Sequence, residues 1–590
     1  MKSFFKTLLA SIIGTFIAMF VCLLFFFGFI GAIMSSFNDT PQVTIPSNTI
    51  LKIDLSTQFV DVNLINPFDG ISLMGGSSEI KEPIGILSAT EAIKKAANDP
   101  AIKFIYLLGN PTNTNMANLD ELRKALKEFR KSGKAVIAYA QNYSQGSYYV
   151  ASVADKVYIN NFGSSDMIGI GSNMLFFKDL LDNIGVNVQL IRHGKFKAAA
   201  EQFVESNIST ENLEQNQQMI SSLWNTWVDK IYESRGITPE KLNEKVNNLD
   251  IFSAESLLKC NLVDETLTEN EFETRLCTLF GVEKAKNLVL TDLNNYIKAN
   301  NKTNIKIKDK IAVLYANGEI TMDTKNTASA KELQKEIRAI KEDRSIKAVV
   351  LRVNSPGGDA QAAEIINNEL QSLRQVKPVV VSMGEYAASG GYWIAANSEK
   401  IFADNNTITG SIGVFSLIPS YGKGLKEYLK INNISIKSND HSDMLLGIRD
   451  LDNKEIYFMQ QMVDTVYTQF IDLVSKGRNL SIQYVDSVGQ GRVWTGSDAL
   501  NVKLIDEIGG LSDAINYAAS ITNCNEFRLA EYPKPKTSFE QLVEMFSTTN
   551  AKIKALNNPI DLINAIYKNT ITKEKGKTYA RSPYIYNFNY

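Results

Sequence analysis

The strongest constraint in this sequence is that it repeats itself once, at a separation of 244 positions. Ile102-Lys103-Phe104-Ile105-Tyr106-Leu107 matches Ile346-Lys347-Ala348-Val349-Val350-Leu351, and Asp155-Lys156-Val157-Tyr158 matches Glu399-Lys400-Ile401-Phe402. At the same spacing Tyr148-Tyr149 falls on Tyr392-Trp393, and Ile168-Gly169 on Ile412-Gly413. One offset held through strand-like, turn-like and helix-like stretches means duplicated domains rather than a short-period solenoid. A chain of 590 residues is also too long for one ordinary core. Apolar, β-branched runs alternate with helical patterns in both copies, which predicts an α/β fold. The first copy is expected over 39–304, opening at Ile50-Leu51-Lys52-Ile53-Asp54-Leu55, and the second over 305–533, restarting at Ile311-Ala312-Val313-Leu314-Tyr315. Polar residues 298–304 mark the boundary. A tail, 534–590, carries an amphipathic stretch from Phe539 to Phe546 and an aromatic-rich end from Tyr584 to Tyr590, to which no role attaches.

The N-terminus bounds the location. Lys2 and Lys6 precede an uncharged run from Thr7 to Asn38 that includes Phe20-Val21-Cys22-Leu23-Leu24-Phe25-Phe26-Phe27. A bilayer needs about 20 apolar residues. A cleaved signal peptide has an apolar core of about 7–15 residues, shorter than this run, and Gly31-Ala32-Ile33-Met34-Ser35-Ser36 is a poor cleavage site. The expectation is therefore a single uncleaved anchor over 1–38, with its lysine-bearing end in the cytoplasm and the remaining chain on the extracytoplasmic side. A net charge of -2 gives no reason to expect a nucleic-acid partner. Four cysteines, Cys22, Cys260, Cys277 and Cys524, lack the short paired spacings of a zinc site, and whether Cys260 and Cys277 pair is open. Neither a Walker A loop nor a His-Glu-x-x-His motif occurs, so no cofactor or metal is expected.

The second copy carries the chemistry. Val379-Val380-Val381 reads as a buried strand running into Met383-Gly384-Glu385-Tyr386-Ala387-Ala388-Ser389-Gly390-Gly391-Tyr392-Trp393, where a helix begins. A serine between strand and helix, among small residues, can project its hydroxyl into a cleft. The amide of Gly390 can point at a developing oxyanion. An ordinary glycine-rich turn reads the same way in isolation. A second strand, Val349-Val350-Leu351-Arg352-Val353, leads into Asn354-Ser355-Pro356-Gly357-Gly358-Asp359, whose glycines free backbone amides at a helix N-terminus. Together the two turns supply a nucleophile and an oxyanion hole at Gly358 and Gly390. The first copy has neither: Gln145 stands at the position of Ser389, and Asn113 and Thr114 at those of Gly357 and Gly358.

The pair Ser-Pro-Gly-Gly and Gly-Glu-Tyr-Ala-Ala-Ser-Gly-Gly-Tyr-Trp resembles the long form of the bacterial signal peptide peptidase A family, also called protease IV, from the anchor to about Pro533. That resemblance implies two tandem ClpP/crotonase-like domains behind a membrane anchor, and a serine protease working through a Ser–Lys dyad. A serine nucleophile needs a base. The chain has two histidines, His193 and His441, the latter in a polar, loop-like run. The resemblance points elsewhere, to Lys197 in Lys-Ala-Ala-Ala-Glu-Gln-Phe at 197–203, with Lys195 two residues away as the alternative. An ordinary lysine, with a pKa of about 10.4, serves as a base only if burial brings it down toward neutrality. Phe196 and Ala198–Ala200 are apolar neighbours in sequence. Ser411, in Thr407-Ile408-Thr409-Gly410-Ser411-Ile412-Gly413, matches the family serine that hydrogen-bonds the lysine. The resemblance further implies apolar peptides, chiefly cleaved signal peptides, as substrates, the inner membrane as the location, and a homo-oligomer, a tetramer. The alternatives are a crotonase-like acyl-CoA enzyme, which needs no nucleophilic serine, and a non-catalytic membrane scaffold. Because Lys197 lies in one copy and Ser389 in the other, a working dyad requires the site to straddle both.

Overall fold

The computed structural model describes residues 44–62, 82–300, 306–323, 327–534 and 579–581, together with scattered helical positions between 4 and 28. Much of the expected anchor, the 304/305 boundary and the tail stretches 539–546 and 584–590 lie outside the described residues. Among those described, no helix is long and apolar enough to cross a membrane.

Each copy builds one sheet with the same strand order. In the first copy the order is Glu265–Thr266, Lys156–Ile159, Val136–Ala140, Ile102–Leu108, Thr49–Asp54, Leu290–Asp292, every pair parallel. In the second, Glu507–Ile508, Lys400–Ala403, Val379–Ala388, Ile346–Ser355, Lys310–Asn317 and Arg528–Tyr532 follow the same order, again all parallel. Parallel sheets are covered by helices on their faces, and the runs Ile311–Leu314 and Val379–Val381 are accordingly buried throughout. The second sheet also continues from Val379–Ala388 to Ile408–Gly410 and, antiparallel, Val493–Thr495.

The duplication extends to single side chains. Helices Thr210–Arg235 and Asn453–Arg478 are both 26 residues long, and each ends on a left-handed residue, Gly236 and Asn479. Lys134 Nζ donates to the carbonyls of Ala96 and Asp99, and Lys377 Nζ to those of Ile340 and Asp343. In both copies a lysine amine thus caps the C-terminal end of a helix, where the dipole favours a cation. Tyr148 Oη donates to Leu262 O and Tyr392 Oη to Leu504 O, which fixes the equivalence of Gln145 and Ser389.

The copies are interleaved. A third sheet crosses between them, in the order Gly357–Asp359, Tyr579–Arg581, Val414–Ser420, Asn187–His193, all antiparallel. Its Asn187–His193 strand comes from the first copy and pairs along seven residues with Val414–Ser420 of the second. Tyr386, Ile408 and Val493 pack into the first core, and Ile191 into the second. A buried ion cluster joins the copies, with Arg352 Nη2 2.6 Å from Asp61 and 2.8 Å from Glu121. Cys22, Cys260, Cys277 and Cys524 are all free thiols, so Cys260 and Cys277 do not pair.

Candidate active site

Ser389 stands between the strand Val379–Ala388 and the helix Gly390–Ala395. Its backbone is at φ 55, ψ −114, a conformation that side-chain-bearing residues rarely adopt. Two hydrogen bonds hold it there. Its amide donates to Gly410 O at 2.8 Å, and its carbonyl accepts from Trp393 N at 2.8 Å. Strain maintained by surrounding structure is a feature of functional turns. The equivalent Gln145 begins an unstrained helix, Gln145–Ala151, and its side chain is occupied by the backbone of Gly169.

Lys197 reaches this serine from the other copy. The segment after the Asn187–His193 strand is neither strand nor helix but a sequence of turns: Lys197 N donates to Gly194 O, and Ala198 N to Phe196 O. The turns separate the two lysines, leaving Lys195 exposed over the Phe196 ring and Lys197 wholly buried. Lys197 Nζ lies 2.8 Å from Ser389 Oγ, 3.0 Å from Ser411 Oγ and 3.0 Å from Ser411 O. Burial holds its amine well below the ordinary lysine range. Ser411 is also at positive φ, 51, with its amide on Arg492 O.

The glycine turn lies alongside. A methyl group on Gly390 would stand 3.3 Å from the nitrogen of Gly358, so the two amides are neighbours. Gly357 (φ 99) and Gly358 (φ 156) adopt conformations open to glycine, and a Cβ on Gly358 would meet Ile320 O at 2.0 Å. Ile320 clamps this turn from both sides, its amide donating to Gly357 O and its carbonyl accepting from Asp359 N.

Neither histidine approaches the serine. His193 Nδ1 pairs with Asp464 Oδ1 at 2.7 Å, and its ring stacks on Tyr467. His441 is not a freely solvated loop residue: its Nδ1 lies 2.8 Å from Glu455 Oε1, beside Arg449.

Several positioning residues had no signature in the sequence. A Cβ on Gly491 would stand 2.6 Å from the backbone nitrogen of Lys197, and one on Gly413 3.2 Å from its Cδ, so both glycines make room for the lysine. Gln490 O accepts from Phe196 N, and Gln215 Nε2 donates to Phe196 O, holding the turn before the lysine. Glu201, buried directly after Ala198–Ala200, accepts from Ser209 N and Asn212 Nδ2. The contacts from Gly413, Gln490 and Gly491 come from a distant part of the chain, which spacing alone does not reveal.

Comparison with known proteins meets this geometry at both copies. The model of peptidase family S49 matches residues 128–283 and 371–525, and a Clp protease model matches 301–408. The chain is 35% identical over 477 residues to Protease 4 of Haemophilus influenzae, covering 77% of this chain and 76% of that protein. The chain belongs to peptidase family S49. Serine protease SPPA, chloroplastic, of Arabidopsis thaliana is 30% identical over 480 residues, 79% of this chain and 70% of its own length. A putative signal peptide peptidase SppA of Enterococcus faecium is 31% identical over 270 residues, 44% of this chain but 78% of its own. That relative thus aligns with less than half of the duplicated chain. As a member of S49, the protein is a serine protease with two tandem S49/ClpP-like domains.

Proposed function

We propose that this S49 peptidase is a membrane-anchored endopeptidase that degrades cleaved signal peptides and other apolar peptides through a Ser389–Lys197 dyad. The observation that carries the dyad is the 2.8 Å approach of a wholly buried lysine amine to the serine hydroxyl. That separation lies within the reach required for proton transfer. Burial favours the neutral amine, which can accept a proton. Ser389 Oγ attacks the peptide carbonyl as Lys197 takes its proton. The amides of Gly358 and Gly390 receive the oxyanion. The protonated lysine then gives the proton to the leaving amine, and water, deprotonated by the same lysine, hydrolyses the acyl-enzyme. Ser411 directs the amine toward Ser389 through both its hydroxyl and its carbonyl.

The substrate class rests on the resemblance, on the name carried by the Enterococcus faecium relative, and on the apolar run from Thr7 to Asn38. An anchor there would hold the site beside the extracytoplasmic face of the inner membrane, where spent signal peptides lie. A homo-oligomer, a tetramer, belongs to the same reading.

The test is covalent labelling by a fluorophosphonate alongside hydrolysis of a fluorogenic apolar peptide. Ser389→Ala should abolish both while leaving the melting temperature nearly unchanged, since the neighbouring glycines leave room for alanine. Labelling that persists and maps to another serine would overturn the assignment.

A further inference from the structure

The loop 489–492 touches both Lys197 and Ser411, the two residues whose side chains converge on Ser389. On one side it meets the base. Gln490 O accepts from Phe196 N at 2.9 Å, and Gly491 lies against the backbone of Lys197. On the other side it meets the segment that directs the base. Ser411 N donates to Arg492 O at 2.7 Å, and Gly491 N to Ile412 O at 2.7 Å. The loop therefore sets where Lys197 and Ser411 stand relative to each other. Its own backbone is uncommon, with Gln490 at φ 53 and Gly491 at φ 80, and such conformations persist where the surroundings hold them.

Tyr467 supplies that hold. It lies on the helix Asn453–Arg478, buried in the second core with one face of its ring against His193. Its hydroxyl donates to Asp486 Oδ1 at 2.5 Å and accepts from Gln490 N and Gln490 Nε2, each at 3.3 Å. A hydroxyl has one hydrogen and two lone pairs, and all three are used here. Burial and the Asp486 carboxylate raise its pKa, so it remains a donor. The first copy shows what the hydroxyl adds. Trp224 stands at the same place in the helix Thr210–Arg235 as Tyr467 in its own helix. Trp224 Nε1 donates to Asn243 Oδ1 at 2.6 Å, the counterpart of the bond from Tyr467 to Asp486. An indole N–H donates but cannot accept. The copy without a nucleophile thus keeps the donated bond and lacks the accepted one, which is the bond that reaches the loop.

We propose that Tyr467 is a positioning residue for peptide hydrolysis, fixing the loop 489–492 and through it the approach of the Lys197 amine to Ser389 and Ser411. This rests on the Ser389–Lys197 reading above. The glycine turn Gly357–Asp359 and the helix Gly390–Ala395 belong to other elements. Loss of the hydroxyl therefore falls on proton transfer rather than on peptide binding.

The test is Tyr467→Phe in the full chain, with hydrolysis of the fluorogenic peptide resolved into kcat and KM and the rate of fluorophosphonate labelling measured on the same samples. A small misplacement of a reacting group is costly, so kcat and the labelling rate should each fall about tenfold or more. KM should stay within about twofold of wild type, the signature of an interaction that serves the reaction step. A purely structural role would lower the melting temperature and leave the kcat of the folded protein unchanged. Trp224→Phe, the matching loss of a donor in the first copy, should leave kcat at the wild-type level. Where Tyr467→Phe does not fold, Asp486→Ala keeps the ring and removes the acceptor that orients its hydroxyl, and it should show the same fall in kcat. Wild-type kcat in the folded variant, or an equal loss in Trp224→Phe, would overturn the positioning role and, with Lys197→Met inactive, leave the dyad standing. A Lys197→Met chain as active as wild type would overturn both.

Discussion

At the scale of single residues, Lys197 is the proposed base, and its burial has a cost. Its partners are two oxygens of Ser411 and the Ser389 hydroxyl, and burial alone drives its amine down. Below its lowered folded pKa, the amine is protonated in both folded and unfolded chains. Between that value and about 10.4, the unfolded chain holds a proton the folded chain lacks, so stability rises with pH across this window. Lys197→Met removes the group and should remove that slope. Its advantage in urea midpoint over wild type should be largest at low pH and shrink toward pH 10. Peptide hydrolysis by wild type should rise with pH as the lysine loses its proton, with a midpoint well below the ordinary lysine value. A midpoint near 10 would mean that the amine is not held neutral by burial. Lys197→Met should lose about 10²–10⁴-fold in rate, whereas Lys195→Met and His193→Gln should retain most of it. Ser389 was legible because its strand-to-helix motif is local. Choosing Lys197 over Lys195 from sequence needed a family resemblance, since the turns that bury one and expose the other depend on Gly491, Gln490 and Gln215.

At the scale of elements, the strand Ile346–Ser355 links the copy interface to the glycine turn at Gly357 and Gly358. Arg352 lies near its end, five residues before Gly357, and is fully enclosed by Asp61, Glu121, Ser382 and Asn118. Burial raises the pKa values of Glu121 and Asp404, and pushes Asp120 up to about 6. The Arg352 guanidinium offsets this for Glu121 and Asp404, and the buried Arg123 does so for Asp120. Removing one partner of a buried charge pair costs about 3–5 kcal/mol. Arg352→Met should lower stability by that order, measured by urea unfolding, and depress activity because the strand carrying Gly357 and Gly358 loses its anchor. If Arg352→Met is as stable as wild type, the cluster does not hold the copies together. The parallel strands and their helices could be read from the repeat, because β-branched runs and helical periodicity are local properties. The antiparallel sheet could not. Asn187–His193 and Val414–Ser420 pair across more than two hundred residues, and nothing in either strand names its partner.

At the scale of the whole molecule, the proposed site draws its serine from one copy and its lysine from the other, the pattern expected of duplication followed by complementary loss. The first copy lacks the serine and the glycine turn, while the segment near 441 in the second holds His441 on Glu455 instead of a lysine. Lys197 and Ser389 meet within one chain, brought together by the shared antiparallel sheet and by Ile191, which packs in the second core. If the site is closed within a single chain, two full-length variants with complementary defects cannot rescue each other. Purified Ser389→Ala and Lys197→Met chains, mixed as folded proteins or co-expressed so that mixed oligomers assemble, should show no more peptide hydrolysis than either alone. In a mixed assembly the intact serine and the intact lysine would then belong to different chains, each facing its own mutated partner. The decisive number is the recovered rate. Recovery approaching a quarter of wild type or more on co-expression would mean that the base is delivered from a neighbouring copy, and the intrachain dyad would be wrong.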